Sequence, residues 1–303
     1  MEKILRKVFK KYFEKKNYLT GLSHFIKIRP SYDKYKNLND LDYKVYSQNG
    51  EDGIIDYLLS CLNIDKPKFV EVGIGDYSEC NSRFIYEKTS PNGLVIDCLE
   101  NLEIKVSKNI KLWKGNLKVV EKKVTSKNIL DILKENSFLN EIDLFSLDID
   151  GVDYWILREL PNKFSKIAVL EFNPNFGPNL EITVPNIENF NRTNYHYSNL
   201  CFGASLKAII NLMKSKGFVF MGVNKNCINA FFVNIDEIKK INLEKPDDKN
   251  LSSFTNSNYR ESRSIDGNLT FLTDENKINE ICECEVINLA NQSNKKVKIK
   301  DLL

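Results

Sequence analysis

Ile142-Asp143-Leu144-Phe145-Ser146-Leu147-Asp148-Ile149-Asp150-Gly151-Val152-Asp153 reads as a buried apolar strand that ends in three carboxylates around a glycine. Side-chain alternation puts Asp148 and Asp150 on one side of the extended chain. Carboxylates gathered at a strand end could take a proton from a hydroxyl, hold that hydroxyl, or ligate a divalent cation. A structural use is equally open to Asp150 and Asp153, as caps of the helix that follows. A second polar strand end, Leu170-Glu171-Phe172-Asn173-Pro174, offers Glu171 and Asn173 as contacts to a substrate. Asp148, Glu171 and Asn173 make the alternative of a magnesium site, but a hard cation wants more oxygens than these three supply, so no metal is expected.

Phe69-Val70-Glu71-Val72-Gly73-Ile74-Gly75-Asp76 is an apolar strand running into a turn whose glycines let backbone approach a ligand. Such a turn after the first strand is where Rossmann-like sheets hold nucleotide-type cofactors. A dinucleotide site wants a third glycine, so that a pyrophosphate rests on a helix N-terminus. Here that position is Ser78, and Glu71 sets a carboxylate two residues before the first glycine. A carboxylate repels a pyrophosphate and suits the ammonium end of a cationic amino-acid cofactor. Asp97 closes a second strand, Gly93 to Cys98, where an acid accepts the hydroxyls of a ribose; Glu100 is the reserve for that role. Glu71, Gly73, Gly75 and Asp97 therefore point to S-adenosyl-L-methionine rather than NAD. Asn81 reaches the cofactor from the helix after the turn, and Gln48 and Glu51 from the helix before the strand. The plain alternative for that last segment is that Ser47 caps the helix, with Gly50, Glu51 and Asp52 in its first turn.

Methyl transfer from a sulfonium is an in-line displacement, so a protein contributes positioning and removal of the acceptor's proton. Asp148 or Asp150 is the expected base, with His196, in Asn194-Tyr195-His196-Tyr197, as the third candidate. Arg260 and Arg263, spaced three apart around Glu261, could clamp an anionic acceptor such as a phosphate or uronate, or serve a structural ion pair.

Positioning these groups takes alternating strands and helices, the pattern of a parallel sheet covered on both faces. Strands are expected at 68–73, 93–98, within 109–123, at 142–149 and at 166–172. Helices are expected at 50–62, 81–88, 127–136, 154–160 and 203–216. Residues 218–223 and 229–233 look like a closing antiparallel pair, and 173–200 is a long loop of the kind that serves a site. Three parts follow: a basic amphipathic helix and irregular connector (1–45), the cofactor-binding α/β domain (46–236), and an extension of open structure that could bind the acceptor (237–303).

The net charge of +3 over 303 residues gives no reason to expect nucleic acid as a partner. The charge is uneven, with seven Lys or Arg against two Glu in residues 1–16. That segment has Ile4, Leu5, Val8, Phe9, Tyr12 and Phe13 on one helix face, which suits the domain itself, a second subunit in a homodimer, or an anionic membrane surface. Seven cysteines without a CxxC pair read as free thiols of a reducing compartment, hence a cytoplasmic protein, with peripheral contact to the inner face of the membrane as an option.

The run Leu147-Asp148-Ile149-Asp150-Gly151-Val152-Asp153-Tyr154-Trp155-Ile156-Leu157 resembles the IDVEGxExxVL signature of FkbM-type S-adenosylmethionine-dependent methyltransferases, with Asp150 and Asp153 where that family usually has Glu. Ser47 to Asp52, Phe69 to Gly75, Glu171 to Asn173, Gly177-Pro178, Thr183-Val184-Pro185, Gly203 to Leu206, Asn229 to Phe232 and Tyr259 to Arg263 extend the likeness to a bacterial subgroup often encoded among surface-polysaccharide genes. The likeness covers roughly residues 45 to 235. It implies a class I methyltransferase fold, mostly parallel with an antiparallel closing hairpin. It also implies O-methylation of a sugar, sugar phosphate, nucleotide sugar or related small acceptor.

Overall fold

The computed structural model describes residues 2–257, 261–273, 275–290 and 294–303, and only the backbone of residues 2–8. The chain opens with one long helix, α1 (Glu2–Ile28), followed by two 3-10 turns. α1 runs a dozen residues past the expected basic segment. Asn17, Thr20, Gly21 and Ser23 are weak helix formers, but Tyr18 and Phe25 pack on the domain and hold the helix until Pro30 stops it.

A regular alternation then begins: α2 (Glu51–Cys61), β1 (Phe69–Val72), α3 (Arg83–Thr89), β2 (Asn92–Asp97), α4 (Leu102–Asn109), β3 (Asn116–Glu121), α5 (Ile129–Glu135), β4 (Ile142–Leu147), α6 (Asp153–Glu159) and β5 (Ser165–Glu171). After it come β6 (Ile182–Thr183), α7 (Arg192–Tyr195), α8 (Leu206–Ser215), β7 (Phe218–Val223), β8 (Asn229–Asn234), α9 (Glu275–Glu280), β9 (Glu285–Asn288) and β10 (Lys295–Lys298).

The main sheet has the order β3-β2-β1-β4-β5-β8-β7. β1 pairs in parallel with β2 and with β4, and β4 with β5, whereas β8 runs antiparallel between β5 and β7. This is the α/β architecture expected, closed by the antiparallel pair. Apolar side chains fill both faces of the sheet, Leu94, Phe145 and Ile156 on one and Val95, Leu144 and Tyr57 on the other. From β1 the chain moves outward to β2 and β3, then returns to β4. The crevice between the carboxyl ends of β1 and β4 is thus a topological switch point, where such sheets place ligands.

The C-terminal extension is more ordered than its polar texture suggests. β9 pairs with β10 and, across a hundred residues, with the two-residue β6, forming a small antiparallel sheet over Phe176, Leu200, Cys201 and Ile281. The long loop that begins at Asn173 is therefore pinned at β6 and at Trp155, whose indole donates to the Val184 carbonyl at 2.8 Å.

Candidate active site

At the carboxyl ends of β1, β2, β4 and β5 lies a crevice of about 760 Å³. Gln48, Gly73, Gly75, Asp97, Asp148, Asp150 and Glu171 all line it. A second cavity of about 410 Å³ lies between α2 and α3, around Asp56, Arg29 and Lys88; it meets none of these strand ends.

The glycine turn is shaped by two different demands. Gly73 has φ +86°, and a Cβ built on it falls 1.6 Å from the Asp148 carbonyl oxygen, so only glycine lets β1 cross the end of β4 this closely. Gly75, at φ +54°, meets nothing within 4 Å, so it faces open space. Asp97 braces the turn: one carboxylate oxygen accepts the Gly75 N–H at 2.8 Å and the other the Leu99 N–H at 2.9 Å. A carboxylate has lone pairs beyond these two bonds, and Asp97 is half-exposed, so it can still accept hydroxyls. Glu100 is exposed and outside the crevice lining.

Glu71 lies behind the turn, 4% exposed. Its carboxylate accepts the N–H groups of Asn81 (2.8 Å) and Ser82 (2.9 Å) and the Ser82 hydroxyl, so it holds the start of α3. Burial raises its pKa against the pull of those bonds. Asn81 in turn donates to Ser146 Oγ at 3.0 Å, tying the same segment to β4. Glu51 is likewise buried: it accepts from the Asn224 and Asn229 amides at 2.8 Å each and from the Asn49 N–H. The N-cap of α2 is Gly50 and not Ser47, which from three residues before it accepts the Asp52 N–H at 3.1 Å, while Asp52 accepts the N–H groups of Val45, Tyr46 and Ser47. Glu71, Asn81 and Glu51, expected at the cofactor, thus stand one layer beneath the crevice wall. A local pattern does not tell which strand-end side chains face a ligand and which hold the next helix.

At the other side of the crevice three carboxylates converge. Asp148, Asp150 and Glu171 each offer an oxygen within 4.8 Å of the others. Asp150 has φ +54°, a left-handed conformation that Asp tolerates better than most residues. The loop is held by Asp153, which points backward to accept the Ile149 N–H (3.0 Å) and the Gly151 N–H (2.9 Å) instead of capping α6. Burial pushes Asp153 up to about 6 in spite of those bonds. Burial and the charges of Asp150 and Asp153 raise Asp148 well above the ordinary carboxylate range, although a hydrogen bond with Glu171 works the other way. Glu171 is raised by burial and by the same three aspartates. Asp148 and Glu171 therefore form a hydrogen-bonded pair that holds a proton more tightly than isolated carboxylates do. Asn173 belongs to neither this cluster nor a cation site. Its amide donates to the Leu200 and Phe202 carbonyls (2.8 and 2.9 Å) and its oxygen accepts the Asn175 N–H, which uses it as a staple for the loop.

The groups that the sequence alone did not flag come from the long loop. Arg192 donates to Asp150 at 2.6 Å and lies 3.7 Å from Glu261. It is the one Lys or Arg between 173 and 200, and that was the available signal. Lys122, Lys123, Glu188 and Glu261 complete the charged lining, so six carboxylates face three cations among the described residues. His196 lies elsewhere: its Nδ1 is 2.7 Å from Ser198 Oγ, its ring stacks on Tyr197, and burial lowers its pKa. Arg263 pairs with Glu261 (3.2 Å) and donates to the Gly267 carbonyl, outside the crevice lining. Arg260 lies outside the described residues.

A family model for the methyltransferase FkbM domain matches residues 9–220, more than two thirds of the chain. The chain belongs to the FkbM methyltransferase family. The matched span holds the glycine turn, Asp97, the three converging carboxylates and Arg192; β8, β9 and β10 lie beyond it. Among solved structures, the pyocyanin biosynthetic protein PhzM is similar at 13% identity, with a TM-score of 0.32, over 55% of this chain and 50% of that one. This chain thus aligns with about half the length of that protein. No curated protein matches it.

Among the described residues, no helix is long and apolar enough to cross a membrane.

Proposed function

We propose that this FkbM-family methyltransferase binds S-adenosyl-L-methionine in the crevice at β1, β2 and β4 and methylates an oxygen of a small polyhydroxylated acceptor. One observation carries the reading: a glycine turn with open space over Gly75, a ribose-competent Asp97 and a half-buried Asp148 beside the buried Glu171 line a single crevice. S-adenosyl-L-methionine supplies a sulfonium-bound methyl group. The acidic lining favours a cationic ligand over a pyrophosphate.

In this reading Gly73 and Gly75 bring backbone up to the cofactor, Asp97 accepts the ribose hydroxyls, and Gln48 lines the same crevice. Glu71, Asn81 and Asp153 are positioning residues, acting through the turn and the β4 loop. Asp148 takes the acceptor's proton, with Glu171 beside it holding the pair's shared proton. An aliphatic hydroxyl must lose a proton as it attacks, and a base is most effective with a pKa near the working pH, so the raised pair suits O-methylation. Arg192 fixes Asp150 and bounds the acceptor side. The sugar-derived acceptor, its place in surface-polysaccharide assembly and the cytoplasmic setting rest on the sequence resemblance.

A cation on Asp148, Asp150 and Glu171 is the weaker reading, because Arg192 already supplies a positive charge at Asp150. Turnover that survives EDTA agrees with this; loss restored by magnesium assigns the carboxylates to a metal.

The test is release of S-adenosylhomocysteine over sugars, sugar phosphates and nucleotide sugars, alongside calorimetry with S-adenosyl-L-methionine. Asp97→Ala is expected to weaken cofactor binding about 100-fold, the loss of one to two charge-assisted hydrogen bonds. Wild-type protein that binds NAD instead, or binds neither nucleotide, overturns the reading.

A further inference from the structure

We propose that the outward face of α1 docks the protein flat onto a bilayer that contains anionic phospholipids. α1 carries apolar side chains on two opposite sides, the outward one interspersed with lysines. The inner side is committed: Tyr18 and Phe25 lie 6.0 and 5.0 Å from the Phe84 ring, and Phe25 also meets Tyr43 edge-on. Gly21 lets the helix sit this close, since a Cβ there would fall 2.4 Å from Val45. At about 100° of turn per residue, Phe9, Phe13 and Leu19 point away from that side. They are open to solvent: Phe9 is 58% exposed, Tyr12 63%, Phe13 54%, Leu19 52% and Ile26 63%. From Phe9 to Ile26 the strip is roughly 26 Å long.

The surrounding charge names the occupant. Residues 2–28 carry eight Lys or Arg against two Glu, so with an overall charge of +3 the rest of the chain is net negative. Lys10, Lys11, Lys15, Lys16 and Lys27 are all exposed. Glu14 is half-buried and turned toward the buried Arg83, 3.6 Å away, and Lys10. By the same count Lys10 and Lys15 flank the strip while Lys16 and Lys27 stand within it. An exposed aromatic strip set among lysines is the pattern of a helix lying in a membrane interface, where rings enter the headgroup boundary and long ammonium side chains reach anionic lipid. A second copy would bring the lysines of the two strips together, which repels. Arg83 also donates to the Ser78 carbonyl at 2.6 Å, three residues after Gly75.

Sedimentation of the full chain with vesicles tests this. Binding is expected to phosphatidylglycerol–phosphatidylcholine vesicles at least about tenfold tighter than to phosphatidylcholine alone, falling with salt. Phe9→Ser with Phe13→Ser should bring it to the phosphatidylcholine level. Lys15→Glu with Lys16→Glu should cost about 25-fold or more, at roughly fivefold per lysine removed. All four side chains are exposed, so the variants should keep the wild-type melting midpoint; if the Phe pair does not, the Lys pair decides. Equal binding to both vesicles, binding to neither, or a dimer broken by the Phe pair without vesicle binding overturns the proposal.

Discussion

Asp148→Asn should lower turnover by about 10²–10⁴-fold, the usual contribution of a general base, with little change in affinity for S-adenosyl-L-methionine. Asparagine keeps the size and the hydrogen bond toward Glu171 and removes only the proton-accepting charge. Asp150→Asn should behave differently. Burial and the charges of Asp150 and Asp153 raise the pKa of Asp148, and a base works only when ionised, so wild-type turnover falls as pH drops through that raised value. Removing the Asp150 charge lowers the pKa of both Asp148 and Glu171, and Arg192, no longer paired with that carboxylate, pulls in the same direction. The acidic limb of the pH–rate profile should therefore move to lower pH in Asp150→Asn, with turnover retained above it. If Asp150→Asn abolishes turnover at every pH while Asp148→Asn retains it, the base is Asp150.

Gly73→Ala should be the most damaging single-methyl change in the crevice. Its Cβ would fall 1.6 Å from a backbone oxygen of the neighbouring strand at a positive φ, and neither β1 nor β4 can move without disturbing the sheet centre. A left-handed penalty of about 1–2 kcal/mol and an overpacking cost of about 1–3 kcal/mol predict a loss of about 2–5 kcal/mol, read by chemical denaturation. Gly75→Ala separates stability from binding. Its Cβ meets nothing, so the cost to folding should stay near 1–2 kcal/mol, while the methyl projects into the space assigned to the cofactor and weakens binding. Equal loss of stability in the two variants, with unchanged affinity in Gly75→Ala, would remove Gly75 from the cofactor wall.

The sheet was legible because its strands are short apolar runs ending in glycine or acid, and each expected strand of the main sheet falls within a residue or two of an observed one in β1, β2, β4 and β5. The crevice was partly legible for the same reason: Gly73, Gly75, Asp97, Asp148, Asp150 and Glu171 are all at strand ends. Glu71, inside β1, and Glu51, at the start of α2, are acids of equal promise in the sequence and do something else, because only the packed fold shows that the start of α3 and the β7–β8 turn supply their partners. The small C-terminal sheet escaped because β6 has two residues and pairs with a strand a hundred positions later, a contact with no local periodicity. α4 was missed since its polar residues mask the apolar Leu102 and Val106 that anchor it. Arg192 has no motif around it, and its role exists only because the loop is folded back across the strand ends.

A crystal soaked with S-adenosyl-L-methionine gives the most direct measurement. Density is expected over Gly73 and Gly75, with the ribose hydroxyls at Asp97 and the sulfonium methyl turned toward Asp148. Nucleoside density in the cavity between α2 and α3, or a crevice that stays empty at saturating nucleoside, would contradict it.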